Sequence, residues 1–386
     1  MFERSIACPV CTLEYPLPGL RFRCTCGGNL EVVFDYAKLK KAKRAILARP
    51  FGHARYLELY PVPALVSLAE GGTPLIRCRN LESLLGLNLE LHFKNELLNP
   101  TGSFKDRGTS VEVAKAVQSS FRAGVCASTG NMGASVAAYC GVAGMRCRIF
   151  VPRATSPTKL AQIRAYGGTV ATVPGDYSLA VRRAETSWTR AKPARSHRSA
   201  FLFGDYLYRR EGTKSVGFEI AEQGQFDYVF CPIGNGNLIS AIWKAFTEFR
   251  TIRMIQKRPR LAGIQAAGCD PVVRAFASGG DLRPLRKTRT VASAIDCANP
   301  LDGFLALRAL RESDGLAGQV TDQEILRARE LLRRHEGIFA EPAGAASVAG
   351  LLKMADRLEK GARVVCVITG HGLKDPREGS SAPRSR

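Results

Sequence analysis

The sequence of 386 residues contains no apolar run that approaches the 18 residues a membrane-spanning helix needs. Residues 1–5 also lack the charged and then apolar order of a secretory signal. No internal repeat recurs at a fixed period. These absences predict a cytoplasmic protein with no membrane partner, and the length suffices for two domains with buried cores.

Acidic residues are few compared with basic ones. The chain has 34 Asp and Glu against 56 Lys and Arg, which gives a formal charge of +22. Such an excess could indicate nucleic-acid binding, but the basic residues are dispersed and not gathered in a tract with interleaved aromatics. Residues 38–44 and 253–260 are basic clusters typical of solvated helix faces or loops. We therefore predict no nucleic-acid partner, and a phosphorylated, acidic small molecule as the better match for the charge.

Most of the twelve cysteines stand alone in apolar surroundings, as small buried hydrophobes do in a reducing compartment. The four N-terminal ones differ, because they form a C-x2-C and C-x-C array: Cys8, Cys11, Cys24 and Cys26. Two thiolate pairs on tight turns can close a tetrahedral site, and a ribbon this small has too little core to fold unaided. The array predicts a structural zinc, and four free thiols left from an ancestral site are the alternative.

Short apolar strands alternate with helices over most of the chain. This order predicts an α/β fold with a parallel sheet. The predicted strands lie at 89–94, 124–127, 147–151, 169–173, 228–231, 260–265 and 364–368. A basic helical stretch is predicted near residues 36–49.

One lysine lies in a setting that suits covalent chemistry. Residues 99–108 read NPTGSFKDRG, in which Pro100 and Gly102 predict a turn before a helix. Lys105 is expected at the helix N-terminus, where N–H groups and the macrodipole disfavour a second positive charge. An uncharged amine condenses with an aldehyde. A surface lysine in a polar loop is the alternative, but the ten-residue string is too specific for it.

Three further loops each follow an apolar strand, at the sheet edge where open parallel sheets bind ligands. Residues 128–133, STGNMG, offer donors to an anion such as a carboxylate. Residues 234–237, GNGN, let the backbone close on a phosphate at a helix N-terminus. Residues 369–375, TGHGLKD, follow the last strand. Each loop alone could be a plain turn, but four in one chain predict a ligand site.

Taken in order, these motifs resemble the threonine synthases, members of the β-family (fold type II) of pyridoxal-phosphate (PLP) enzymes. The resemblance covers nearly the whole chain, and TGHGLKD is the motif that best separates this group within the β-family. The other matching motifs are EGGTPL at 70–75, NPTGSFKDRG at 99–108, STGN at 128–131, RREGTKS at 209–215 and EPAGAA at 341–346. Some members also carry a similar N-terminal cysteine array.

The resemblance implies a fold-type-II enzyme with two doubly wound parallel-sheet domains and an N-terminal four-cysteine ribbon-like extension. The implied domains are the extension at 1–36, the large PLP domain at 37–108 and 205–378, the small α/β domain at 109–204, and a disordered tail at 379–386. The site would lie in the cleft between the domains. A homodimer is expected.

By the same resemblance, Lys105 would carry PLP covalently and later move protons. Asn131 would contact the phenolic oxygen of PLP, and Thr369 its pyridine nitrogen. The phosphate of PLP would be held by Gly234, Asn235, Gly236 and Asn237.

The implied reaction is that of a PLP-dependent carbon–oxygen lyase acting on phosphates, in threonine biosynthesis. O-phospho-L-homoserine would lose phosphate, and water would add to give L-threonine. The substrate carboxylate would contact Ser128, Thr129 and the backbone of Met132. Arg209 would meet the substrate phosphate.

The chain departs from the family pattern in three places. Phe203 and Gly204 stand where the family usually has an Asn-Ser pair, which removes two donors to the substrate phosphate. The glycine loop is one residue shorter than usual. Asp296 and Ala298 replace the usual Arg and Gly, and a carboxylate facing the site would disfavour an anionic substrate.

These departures leave alternatives. A divergent relative could run β/γ-elimination or replacement on another amino acid in a specialised pathway. A serine or threonine dehydratase is disfavoured by TGHGLKD and by the lack of an added regulatory domain. A non-catalytic homologue is disfavoured because it would not need Lys105.

Overall fold

The computed structural model describes residues 2–17, 19–190 and 200–376. The tail predicted at 379–386 lies outside the described residues. The strands are β1 Glu3–Ala7, β2 Glu14–Tyr15, β3 Glu31–Phe34, β4 Leu75–Arg77, β5 Glu90–Asn95, β6 Ala123–Ala127, β7 Arg146–Pro152, β8 Thr169–Val173, β9 Phe201–Phe203, β10 Tyr228–Pro232, β11 Arg260–Ala266, β12 Leu316–Val320 and β13 Arg363–Ile368.

The helices alternate with these strands, as the sequence predicts for an α/β fold. They are α1 Tyr36–Ala48, α2 Arg79–Leu84, α3 Lys105–Gln118, α4 Asn131–Val142, α5 Pro157–Ala165, α6 Tyr177–Arg190, α7 Leu207–Thr213, α8 Ser215–Gln223, α9 Asn237–Thr251, α10 Pro271–Ser278, α11 Gly303–Glu312, α12 Asp322–His335 and α13 Pro342–Met354. Among the described residues, none of the helices has the length and apolar character needed to cross a membrane.

The larger sheet has six strands in the order β12-β11-β10-β13-β5-β4. All its pairs are parallel except β4 with β5, which is antiparallel at the edge. Every residue of β10 is buried, as expected for a central parallel strand covered on both faces. The carboxyl ends of β10 and β13 lie side by side, so the loops that follow them share one edge of the sheet.

The smaller sheet has four parallel strands in the order β8-β7-β6-β9. The seven strands predicted from the sequence are all present, three in this sheet and four in the larger sheet. To these two sheets the structure adds β4, β9 and β12, which the sequence pattern did not indicate. Two parallel α/β sheets confirm the expected fold class, whereas the residue bounds of the domains remain a prediction.

The N-terminal segment forms an antiparallel sheet in the order β2-β1-β3. It is fixed to the larger sheet's loops through Asp302, which precedes α11. The Oδ1 atom of Asp302 accepts from Asn29 Nδ2 at 2.8 Å and from Arg210 Nη1 at 2.7 Å. Its Oδ2 atom accepts from Asn237 Nδ2 at 3.0 Å. One buried carboxylate therefore joins the ribbon to the glycine-rich loop.

Candidate active site

The carboxyl ends of the two parallel sheets face a cleft of about 700 Å³. Ten of the residues that the sequence assigned to a ligand site line it: Lys105, Ser128, Thr129, Asn131, Met132, Gly234, Asn235, Gly236, Asn237 and Thr369. The cleft also contains Tyr177, Asp205, Asp296, Cys297 and Glu341, to which the sequence analysis gave no role in binding. Arg209 is not among the residues that line it.

Lys105 is the first residue of α3, as its sequence setting predicts. The turn before it is closed by Asp106, whose carboxylate accepts from the backbone N and from Oγ1 of Thr101, both at 2.7 Å. Phe104 N donates to the carbonyl of Thr369 at 3.1 Å, which fixes the turn to the end of β13. The Lys105 side chain is 18% exposed, and its Nζ atom lies 3.7 Å from Oδ1 of Asp205. The amine therefore points into the cleft beside a carboxylate.

The loop after β6 is shaped by Ser128. Its Oγ atom accepts from the backbone N of Gly130 and of Gly133, both at 2.8 Å, so only the hydroxyl proton is left to donate. Gly130 has a φ of +134°, and a Cβ atom there would overlap the side chain of Lys159. Because α4 begins directly afterwards, its first backbone N–H groups have no partner within the helix, and those of Asn131 and Met132 can bind an anion.

Asn131 is oriented by Glu341, the residue directly before α13. Its Nδ2 atom donates to Oε1 of Glu341 at 2.6 Å, and Oε2 of Glu341 lies 3.4 Å from Nζ of Lys159. The Oδ1 atom of Asn131 is buried and has no hydrogen-bond partner among the described residues. Since a buried acceptor without a partner is costly, this atom indicates a ligand group in the cleft.

In the loop after β10, Gly236 lies so close to other backbone that a side chain would not fit there. Gly236 has a φ of +92°, and a Cβ atom there would lie 2.7 Å from the carbonyl oxygen of Asp302. Asn235 is occupied by the protein: its Nδ2 atom donates to Tyr177 and Asp205, and its Oδ1 atom accepts from Cys297 Sγ at 2.7 Å. The side chain of Asn235 therefore shapes the loop, while backbone N–H groups at the start of α9 are left for an anion.

Arg209 lies behind the cleft and not in it. Its side chain is 1% exposed, and Nη2 donates to Oε2 of Glu112 at 2.5 Å. Nη1 donates to Thr109 Oγ1 at 3.0 Å and to the Lys105 carbonyl at 3.3 Å. The predicted contact of Arg209 with a substrate phosphate finds no support in this placement, because its donors already face protein acceptors.

Two carboxylates in the cleft were not among the site residues assigned from the sequence. Asp205 is 1% exposed and its Oδ1 atom has no hydrogen-bond partner among the described residues. Asp296 lines the cleft, and its Oδ1 atom is likewise buried without such a partner. Asp296 therefore faces the site, the arrangement expected to disfavour an anionic substrate. Asp205 could have been suspected because it directly follows the Phe203-Gly204 departure.

The cleft fits the cofactor that the sequence resemblance implies. It offers an amine for the aldehyde carbon, unpartnered amide and hydroxyl groups for the ring, and a helix N-terminus for the phosphate. A Cβ atom at Gly234 would lie 3.1 Å from the Ala294 carbonyl oxygen. Glycine at this position therefore avoids a tight contact with the backbone of Ala294. The donor set therefore matches PLP.

The four N-terminal cysteines converge in the ribbon. Their Sγ atoms all lie within 4.8 Å of one another, and Cys8 to Cys26 and Cys11 to Cys24 are separated by 3.7 and 3.5 Å. Sulfurs bound tetrahedrally at about 2.3 Å from one zinc ion lie roughly 3.8 Å apart. The spacing therefore fits zinc.

Comparison with known proteins gives consistent results. A family described as "Pyridoxal-phosphate dependent enzyme" matches residues 66–370. The threonine synthase of Methanocaldococcus jannaschii is 42% identical over 382 residues, which is 96% of this chain and 92% of that protein. The threonine synthase of Methanosarcina acetivorans is 39% identical, with the same two shares covered. The solved structure of maize serine racemase matches with a TM-score of 0.67 at 22% identity, covering 78% of this chain and 88% of that one, which shows a shared fold.

Proposed function

This chain belongs to the pyridoxal-phosphate dependent enzymes, and from that premise we propose that it is a threonine synthase acting on O-phospho-L-homoserine. Such an enzyme is a lyase that produces L-threonine and phosphate. The similarity to two threonine synthases extends over 96% of the chain. The observation that carries the proposal is the cleft itself, in which Lys105 meets three glycine-containing loops from the two sheets.

Several residues would hold the cofactor. Lys105 would attach it covalently, Asn131 would use its unpartnered Oδ1 toward the ring, and Thr369 would contact the ring nitrogen. Residues 234–237 and the start of α9 would bind its phosphate through backbone N–H groups. When bound, PLP withdraws electrons from the substrate and so eases proton loss at Cα and Cβ.

The remaining work falls to side chains around the amine. Ser128 Oγ, Thr129 and the backbone N–H of Met132 would bind the substrate carboxylate at the N-terminus of α4. Lys105, once released by the incoming amino acid, would take and return protons at the substrate carbons. Loss of phosphate from Cγ and addition of water at Cβ then complete the conversion to threonine.

A second candidate function is elimination or replacement on a different amino acid. It is favoured by the two carboxylates in the cleft, Asp205 and Asp296, and by the engagement of Arg209 with Glu112. Anionic walls are unfavourable for a phosphate dianion. This candidate uses the same cofactor site.

Three further assignments belong to the proposal. The cluster of Cys8, Cys11, Cys24 and Cys26 would hold a structural zinc, and its four ligands would leave no open position for catalysis. We also expect a cytoplasmic homodimer. Metal analysis of purified protein would test the zinc, and its molar mass in solution would test the dimer.

The direct test measures phosphate and amino-acid product from O-phospho-L-homoserine. Wild type should release phosphate and threonine in equal amounts, and Lys105→Ala should release neither. Lys115→Ala is the matched control, because Lys115 lies on the same helix and its amine faces the Pro61 carbonyl outside the cleft. A wild-type protein that binds PLP but does not turn over this substrate would favour the second candidate.

A further inference from the structure

Asp205 is a buried carboxylate with one oxygen held and one oxygen open. It lies in the turn between β9 and α7, and Oδ2 accepts from Asn235 Nδ2 at 2.7 Å. Oδ1 is directed toward Lys105 Nζ, 3.7 Å away, and has no hydrogen-bond partner among the described residues. The carboxylate is thus oriented by the glycine-rich loop and leaves its free oxygen for the reactive amine.

The turn that presents Asp205 is clamped from both sides of Gly204. The backbone N of Gly204 donates to Glu112 Oε1 at 2.9 Å, and its carbonyl accepts from Arg209 Nε at 3.2 Å. Arg209 and Glu112 are themselves paired and fully buried. A Cβ atom at residue 204 would lie 2.6 Å from the ring of Tyr206, so glycine permits this close turn.

The Arg209–Glu112 pair, here called the clamp, also contacts the helix that carries Lys105. Arg209 Nη1 donates to the Lys105 carbonyl and to Thr109, one turn further along α3, while Glu112 lies on that helix face as well. The Arg209–Glu112 pair therefore touches the backbone of Lys105 and the backbone next to Asp205. It therefore fixes the backbone that carries the amine relative to the backbone next to the carboxylate.

We propose that Asp205 is a positioning residue for Lys105, held in place by the Arg209–Glu112 clamp. Its carboxylate keeps the Lys105 nitrogen in the cleft when the amine is free, and stabilises positive charge on that nitrogen when PLP is attached. The proposal rests on the proposed attachment of PLP to Lys105. It does not depend on which amino acid is the substrate.

The test uses the full chain loaded with PLP and no substrate. The visible absorbance of the bound cofactor is recorded while the pH is varied, because that absorbance follows the protonation of the nitrogen that links Lys105 to PLP. Removing an opposite charge at this distance disfavours the protonated form. Asp205→Asn should therefore lower the midpoint of the titration by about 1–2 pH units. Asp205→Glu, which keeps the charge, should have a midpoint close to that of wild type.

Asp296→Asn is the matched control, since it removes the same charge from the same cleft but from a residue that has no ion pair with Lys105 in the described structure. Its midpoint should move by less than half as much. The proposal is overturned if Asp205→Asn titrates like wild type, or if Asp296→Asn shifts the midpoint equally. If Asp205→Asn does not fold, Asp205→Ser replaces it, because this smaller polar side chain also removes the negative charge. A wild-type protein that does not attach PLP at Lys105 would refute the proposed function before any variant is measured.

Discussion

Glu112 and Arg209 form a buried ion pair at 2.5 Å, and Arg209 also donates to the carbonyl of Lys105 at the start of α3. Burial raises the pKa of Glu112 to about 7, while the charge of Arg209 opposes that rise. Such a pair adds little net stability compared with apolar residues, but breaking it leaves an uncompensated charge. Its value here is geometric, because Arg209 binds the backbone of Lys105 and of Gly204, and Glu112 binds the backbone of Gly204.

Arg209→Lys separates this role from a substrate-phosphate contact. Lysine keeps the charge but cannot hold Glu112, Gly204 and Thr109 at once. We expect the affinity for PLP to fall about tenfold, equivalent to about 1.4 kcal/mol, with little change in KM for the amino acid. The measurement is PLP binding without substrate, followed by kinetics at saturating PLP, with exposed Arg250→Lys as the control. A large rise in KM with unchanged PLP affinity would instead indicate that Arg209 contacts the substrate phosphate.

His53 should make the fold sensitive to acid. Burial disfavours its charged form and lowers its pKa to about 4, although Glu70 lies 3.7 Å away. The pKa of His53 is 6.5 in the unfolded chain and lower in the folded protein, so between these values the unfolded chain binds the proton and the folded protein does not. The free energy of unfolding is therefore highest above pH 6.5 and decreases as the pH falls toward 4. The expected loss is roughly 3 kcal/mol.

Denaturant unfolding at several pH values measures this contribution. The free energy of unfolding of His53→Asn should depend less steeply on pH than that of wild type between 6.5 and 4. His335→Gln, at an exposed site at the end of α12, should keep the wild-type slope. Equal slopes for wild type and His53→Asn would contradict the prediction.

Gly130→Ala should damage the anion site after β6. The residue has a φ of +134° and a Cβ atom would collide with Lys159, so the loop or the lysine must move. We expect a loss of about 1–3 kcal/mol in stability and weaker binding of amino-acid carboxylates. Gly141→Ala on the same helix is the control: its Cβ atom would lie 3.6 Å from the nearest atom, and the change should be neutral or stabilising. Similar behaviour of the two variants would refute the steric argument.

Cys11→Ser should abolish stoichiometric zinc if the cluster is a metal site. The remaining three thiols give an incomplete ligand set, and the ribbon should lose protection from proteolysis. Elemental analysis and limited digestion of variant and wild type provide the measurements. Cys78→Ala, at a buried cysteine outside the cluster, should keep the metal content. If wild-type protein is isolated without any metal, the prediction is wrong and the four cysteines are free thiols.

The sequence indicated ten of the residues that line the cleft, but it did not indicate what surrounds Arg209. Lys105, residues 128–133 and residues 234–237 were found because each follows from local chemistry, a turn or a strand-to-helix loop with glycine. The role of Arg209 was carried over from relatives and depends on what surrounds it. That surrounding is set by Glu112, a contact 97 residues away in sequence. The spacing of Lys105, Thr109 and Glu112 on one helix face was the available signal.

Three strands escaped the sequence pattern for related reasons. β9 has only three residues, and β12 reads Leu-Ala-Gly-Gln-Val with no alternation and little β-branching. β4 is a short antiparallel strand at the sheet edge. These segments become strands because a neighbouring strand supplies hydrogen bonds, which is tertiary information. Asp205 follows β9, so missing that strand also concealed the edge on which the carboxylate lies.

The link from Asn29 through Asp302 to Asn237 has a consequence for the cell. Asn29 comes three residues after Cys26, so the last turn of the cysteine cluster helps to place the loop proposed to hold the phosphate of PLP. If the cluster holds zinc, a chain made during zinc shortage would have an unsupported loop and would retain its cofactor poorly. Protein purified in the presence of a chelator would then contain less PLP than protein purified without one.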